Sequence, residues 1–400
     1  MHIILFEDRK WNEFLPLVFT RPVGDLRIGI EKISEKWSRA LGGAIGHIAR
    51  PYLKSVFTEV KVDKGLCINA RLIPTPQIIA SIRQLRNDEA LFSKDDLLAV
   101  RFDRLMNLQH AIEQLPSVVK RIQCTGEVFL LEKITDIFTR NGEALQLDFA
   151  VITTGRNSTA LHESNLVIGA HENLFVEEGA KIFASTLNTS DGPIYIGKNA
   201  EVMEGTHIRG PFSLGENSQL KMGTRIYGPT TIGPGCKVGG EVSNAVFYGF
   251  SNKAHDGFLG NALVGEWCNL GADTNSSNLK NNYSEVKMYN YAERKEKNTG
   301  HTFCGLIMAD HTKCGINTMF NTGTVTGVCA NIFGAGFPPG HVPSFSWGGA
   351  SRLVEHDLYK AIETAQKMMA RRKVTLTPDM RAILTEVYWL TTEDRSSFAT

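Results

Sequence analysis

The sequence predicts three parts in order: an α/β domain, a parallel β-helix built from hexapeptide repeats, and a pair of carboxy-terminal α-helices. Three observations predict this. Strand-like and helix-like segments alternate up to residue 155. An aliphatic residue then recurs at every sixth position. Helical spacing returns after residue 351 and is divided once, by Pro378. The expected boundaries are 1–155, 156–345 and 346–400.

The first part reads as strands HIILF, LCINA and LLAVRF with helix pieces QIIASIRQL and HAIEQLP. Alternation of this kind predicts a mostly parallel sheet. The opening MHIILFEDRK has too short an apolar run for a signal peptide, and acids follow it at once, so it reads as the first strand.

The second part is read from Ile196, Val202, Ile208, Leu214, Leu220, Ile226, Ile232 and Val238. If about a third of positions were aliphatic, such a run would arise about once in several thousand registers. Each hexad forms one short face, with its aliphatic residue pointing into a narrow interior. Glycine often follows (Gly197, Gly215, Gly233, Gly239) and suits the corners. The register extends back to Val176 and Ile182, breaks at Asn188, slips near Asn244, and resumes through Leu259, Val264 and Leu270. The third part has Leu353, Leu358, Ile362, Ala365 and Met369 at helical spacing, then a second helix in DMRAILTEVYWL. These helices are expected to cap the solenoid.

Composition narrows the function. The chain has 400 residues, 42% hydrophobic and 21% charged, with a formal net charge of +1. No global basic field argues for nucleic acid. No segment approaches the roughly 18 apolar residues that span a bilayer, so no membrane role is expected. Seven scattered cysteines without a C-x-x-C pair fit reduced thiols and a cytoplasmic setting.

Several phrases carry a resemblance: LPLVFTRPVGDLRIGI, GPIYIGKNAEVMEG, SNKAHDGFLG, EWCNLGADTNSSNLKNNY and NTGTVTG. With the hexad solenoid after an α/β domain, they resemble the GlmU-like family, and a branch of it found in Bacteroidetes named for sugar nucleotidyltransfer. Typical members join an N-acetylglucosamine-1-phosphate uridyltransferase to a glucosamine-1-phosphate acetyltransferase. The resemblance implies a nucleotidyltransferase-like first domain and a left-handed β-helix with acyltransferase-like sites between the subunits of a homotrimer. It implies acetyl-CoA as co-substrate, a sugar phosphate as the small-molecule partner, and Mg2+ and a nucleoside triphosphate at the first domain.

Residue by residue, the resemblance implies His255 as catalytic base and the Ala272 backbone N–H as oxyanion donor. It implies Arg225, Glu241, Asn269 and Asn278 as substrate contacts. N-acetylation needs a base because an ammonium cannot attack a thioester, and a neutral imidazole can take that proton near pH 7. The alternatives are a structural histidine, a stacked asparagine ladder and a solvated arginine. Ser243, Phe258 and Leu279 stand where the family has a lysine and two tyrosines, which leaves the sugar open.

The first domain departs further. The family's glycine-rich phosphate loop is replaced by LFEDRKWNEFLPLVFTRP, which has no glycine, and its metal-binding aspartate by Asn69. Arg9, Lys10, Arg21 and Arg27 are candidates for a phosphate site built from side chains, against an ordinary charged surface. Asp25 is the candidate metal ligand. His301, Asp310 and His311 have no metal-ligand spacing and read as structural or as pocket rim. The expected function is a transferase of nucleotide-sugar synthesis. The alternatives are a nucleotidyltransferase whose solenoid only trimerises it, and a non-catalytic nucleotide-sugar or acyl-CoA binding protein.

Overall fold

The computed structural model describes residues 2–57, 65–102 and 119–399, so HAIEQLP lies outside the described residues. The chain forms two compact units. The first holds residues 1–14, 20–26 and 31–134, and the second holds 15–19, 27–30 and 135–400.

The first unit is built on a six-stranded sheet of β1 (Ile3–Phe6), β2 (Ile45–Ile48), β3 (Gly65–Asn69), β4 (Glu89–Ser93), β5 (Asp96–Phe102) and β6 (Lys120–Gln123). Its order is β2-β1-β3-β5-β4-β6. All of β1 is buried, and it runs parallel to β2 on one side and β3 on the other. The sheet is mixed rather than mostly parallel: β5 is antiparallel to both β3 and β4. A turn as short as Lys94-Asp95 can join only antiparallel strands, and Lys94 takes a positive φ of 54° there. Helix α1 (Ile33–Leu41) buries Trp37, whose indole N–H donates to Leu72 O at 2.8 Å. Helix α2 (Pro76–Gln84) starts on Thr75, whose hydroxyl accepts from Ile78 N, with Pro76 just inside.

The second unit is a left-handed parallel β-helix of about ten turns with helices at its end. All eight aliphatic residues from Ile196 to Val238 point inward and are at most 2% exposed. They stack in register: Ile208 on Ile226, Leu214 on Ile232, Leu220 on Val238. The break at Asn188 arises because Leu187, not Asn188, fills the interior there.

The slip near Asn244 has a different cause. The corner between Lys237 and Glu241 is two residues shorter than its register partners, Gln219 to Arg225 and Asn252 to Phe258. Gly239 and Gly240 form the short corner, and Gly240 has φ of 74°.

The second unit begins earlier than residue 155. Helix Asn141–Thr153 belongs to it because Asn141 Oδ1 accepts from Gly29 N at 2.8 Å and its amide donates to Thr231 Oγ1 at 3.1 Å. Asp148 Oδ2 accepts from Ile30 N at 2.7 Å. At the far end, Leu353 is not helical as its spacing suggests. It lies in strand Leu353–Glu355, antiparallel to Ser346–Gly348. Helix Leu358–Ala370 starts only after Asp357, whose carboxylate accepts from Lys360 N. Helix Pro378–Leu390 follows, capped by Thr377. All seven cysteines are free thiols. No helix among the described residues is long and apolar enough to cross a membrane.

Candidate functional sites

Two sites emerge, one in each unit. The first is a cleft of about 650 Å³ at the carboxyl ends of β1, β2 and β3, where open α/β sheets place their ligands. Its walls come from Asp8 to Trp11 after β1, Arg50 after β2, Asn69 at the end of β3, and Asp96 at the start of β5. Asp8 Oδ1 accepts from Lys10 N at 3.0 Å and so fixes the start of the 3₁₀ turn Arg9–Phe14.

Under the cleft Arg71 is 1% exposed. Its Nε and Nη2 grip Asp8, with Nη2 at 2.6 Å, and Nη2 also reaches Asp96 at 3.0 Å. Asn69 donates to Asp8 Oδ2 at 2.9 Å and to Leu97 O at 3.0 Å. Burial pushes the Asp8 carboxyl up, but Arg71, Asn69 and the Lys10 amide outweigh it and hold it below the usual range. Burial raises the Glu7 carboxyl despite the neighbouring Arg50 charge. Glu7 Oε1 accepts from Val23 N at 2.8 Å and from Arg50 Nη2 at 3.2 Å.

The structure divides the four basic candidates. Arg9 and Lys10 line the cleft. Arg21 and Arg27 do not, and both are buried. Arg27 donates to Tyr248 O at 3.1 Å and to Ile30 O, so it braces the second unit. Asp25, the candidate metal ligand, is held in ion pairs. It pairs with Lys32 at 2.9 Å and lies 3.9 Å from Arg21, and among the described residues no group of three His, Cys, Asp or Glu is placed to hold a metal. Sequence reasoning missed Arg50 and Arg71. Arg50 lies two residues past the end of β2 and precedes Pro51, a signal that was available; Arg71 is two residues beyond the noted Asn69.

The second site is the solenoid corner that carries His255. This histidine is exposed between strands Asn252–Lys253 and Phe258–Glu266. Gly257 closes the corner at φ of 112°, and a Cβ there would lie 2.1 Å from Thr274 O, so only glycine fits. The residue beneath is unexpected. Lys253 occupies an interior slot in register with Val238 and is 1% exposed. Its ammonium donates to Gly239 O and His255 O, both at 3.0 Å. A Cβ on Gly240 would sit 2.9 Å from that nitrogen, so the short glycine corner makes room for it. Burial pushes the Lys253 amine down to about 8, against the pull of Asp256 and Asp273.

This lysine makes a testable prediction. Its folded value lies below the ordinary 10.5, so between those limits the unfolded chain holds more of the proton. Stability from this group is therefore lost as pH falls through about 8 and recovered as pH rises toward 10.5. The unfolding free energy read from urea titrations should rise with pH in the native chain relative to Lys253→Met, by up to about 3 kcal/mol across that window. Parallel curves would contradict the buried-amine reading.

The other candidates fall around this corner. Arg225 and Glu241 stack on adjacent coils, with Nε to Oε2 at 3.5 Å, and Phe258 follows in the same outward row. Arg225 also borders a shallow cavity of about 350 Å³ with His207, Arg209 and Tyr227. Ala272 lies at the matching corner one coil on, its carbonyl accepting from Asn317 N at 2.8 Å. Asn269 is in another row, beside Asn252 and Lys313. Asn278 donates to Asn261 Oδ1 at 2.7 Å. With the Asn244 amide oriented to suit its neighbours, Asn261 in turn donates to Asn244 at 2.8 Å. The asparagine ladder is thus Asn244-Asn261-Asn278. Asp310 and His311 are buried, Asp310 accepting from Glu266 N at 2.7 Å. His301 packs edge-on to Phe138.

Residues 3–157 match the family described as sugar nucleotidyl transferase. The chain is 28% identical over 120 residues to the bifunctional protein GlmU of Methanococcus aeolicus, covering 30% of this chain and 25% of that one. It is 28% identical over 118 residues to the bifunctional protein GlmU of Methanocaldococcus jannaschii, covering 30% and 24%. The chain thus spans about a quarter of the length of these relatives. Among solved structures, the Arabidopsis UDP-N-acetylglucosamine acyltransferase matches with a TM-score of 0.25 and 15% identity, covering 59% of this chain and 98% of that one. A transferase-family domain joined to a hexapeptide solenoid bears out the GlmU-like resemblance.

Proposed function

We propose that this chain is a two-site enzyme of nucleotide-sugar synthesis. The amino-terminal cleft holds a nucleotide and a sugar 1-phosphate, whose phosphate oxygen attacks the nucleotide α-phosphorus and releases pyrophosphate. The solenoid corner transfers acetyl from acetyl-CoA to an amino-sugar 1-phosphate. His255 takes a proton from the sugar ammonium, the amine attacks the thioester carbonyl, and the tetrahedral oxyanion collapses with loss of the CoA thiolate, which leaves as the thiol with the nitrogen's remaining extra proton. The Ala272 N–H serves that oxyanion, and Arg225 serves the sugar phosphate.

The observation that carries the reading is the cleft. It is walled entirely by residues within the matched segment, at the strand ends where this class of sheet binds ligands. The solenoid half rests on the exposed, glycine-closed His255 corner. Exposed Leu166, Ile168, Met222 and Tyr227 on the solenoid support a homotrimer, in which neighbouring β-helices complete the site; light scattering should give three times the chain mass, and a monomer would remove the shared site. A cytoplasmic setting, which preserves free thiols, completes the proposal. The experiment is a screen of sugar 1-phosphates with nucleoside triphosphates and with acetyl-CoA, following pyrophosphate and thiol release.

A second reading has its own support. The strand-end carboxylate is replaced by Asn69 and no glycine loop follows β1, which favours a first domain that binds a nucleotide sugar without making one.

A further inference from the structure

Nucleotide phosphoryl chemistry ordinarily uses a divalent cation held by one or two carboxylates and the phosphate oxygens. The donors of the amino-terminal cleft do not fit that ion. Glu7, Asp8, Asp95 and Asp96 border the cleft, and Glu132 lies beside them. Each already faces a cation that belongs to the chain: Glu7 pairs with Arg50 at 3.2 Å and Asp95 lies 4.0 Å from Arg121. Arg71 contacts both oxygens of Asp8, reaches Asp96 at 3.0 Å, and lies 3.4 Å from Glu132. Lys10 adds ion pairs to Glu132 at 2.6 Å and Asp96 at 3.5 Å. A carboxylate offers about four acceptor sites, and Asp8 also receives Asn69 and the Lys10 amide. Its lone pairs are used. The guanidinium sits where an ion would have to sit.

Arg50, which also lines the cleft, is in the opposite condition. Its side chain is 11% exposed and stacks 4.3 Å over Trp11. Nη2 is used by Glu7 and by Arg21 O, but Nε and Nη1 are buried without a partner. A buried charged donor left unpaired is costly, and an anionic oxygen would satisfy it. Arg9 is exposed on the same wall.

We propose that this cleft takes a nucleoside triphosphate as the metal-free anion, with Arg50, Arg9 and Lys10 supplying the positive charge and Arg71 occupying the acids that would otherwise hold a divalent cation. The proposal rests on the nucleotide-binding reading of the same domain.

Calorimetric titration of the full chain with each of the four common nucleoside triphosphates, in magnesium and in EDTA, tests it. Affinity should be equal or tighter in EDTA, because magnesium competes with the side chains for phosphate oxygens. Manganese alone should not bind. Arg50→Met should weaken binding about ten- to a hundredfold, the worth of hydrogen bonds to a charged group. Arg9→Gln, an exposed change, should weaken it several-fold with the melting temperature unaltered, which covers the case where the Arg50 variant does not fold. Binding that needs magnesium and falls tenfold or more in EDTA overturns the proposal but leaves the nucleotide reading intact. Absence of binding in both buffers overturns both.

Discussion

His255→Ala is expected to lower acetyl transfer by about 10²–10⁴-fold, the usual worth of a positioned general base, while leaving the melting curve where it was. The two halves of that result have separate physical causes. The imidazole is exposed and contributes nothing to the aliphatic interior, so its removal opens no cavity. What fixes the corner is backbone: the Lys253 ammonium on His255 O, and the positive φ of Gly257. Both survive the substitution. The residual rate should climb with pH, because a spontaneously deprotonated amine then replaces the imidazole. Affinity for acetyl-CoA should barely change, since the histidine serves the nucleophile. A folded variant with native turnover would end the assignment.

Arg71→Ala is expected to destabilise the amino-terminal unit by about 3–5 kcal/mol, the cost of removing one partner from a buried ion pair. Four consequences combine: Asp8 loses its cation, Asp96 loses a donor, Leu131 O loses a 2.6 Å hydrogen bond, and a large buried side chain leaves a void. The pH dependence follows from Asp8. Its folded carboxyl is held below the ordinary 3.8, so its contribution is present above that value and lost as pH falls through the folded one. The native chain should therefore resist mild acid better than Arg71→Met, whose Asp8 titrates nearer its ordinary range. Differential scanning calorimetry reads both effects, and with two compact units the transition that moves in Arg71→Ala is the one to follow. A transition unmoved by Arg71→Ala would show the network to be idle.

Much of this architecture is written in single-residue periodicity. Ile196 to Val238 could be read from sequence because each coil repeats the same local demand: one aliphatic residue per face. The reading failed where a coil changed length. The two residues missing at Gly239-Gly240, and one more between Val242 and Phe247, shift the later positions, and so Lys253, an interior residue, looked like an ordinary polar neighbour of His255. Leu353 fits a helical period but sits before Asp357, and the cap decides where the helix begins. The mixed sheet came from a turn between β4 and β5 that strand patterns do not reveal.

The cleft was legible only in its local half. Arg9, Lys10 and Asn69 lie at strand ends that the sequence marks. Arg71 could not be assigned a role, because its partners Asp8 and Glu132 are 63 and 61 positions away in the chain, and the β1–β3 pairing brings in the first and the Leu72–Leu130 bridge the second. Arg21 and Arg27 misled for the same reason: local charge density says nothing about which side chains the fold turns inward.

The proposed acetyl-transfer site at the His255 corner can be tested at the thioester itself. Thiol release from acetyl-CoA in the presence of amino-sugar 1-phosphates measures it directly. The expected result is release that depends on the amino sugar and is lost in His255→Ala, with the product carrying an N-acetyl group. Release that ignores the amino sugar, or none with any amino-sugar 1-phosphate by a folded trimer, would contradict it.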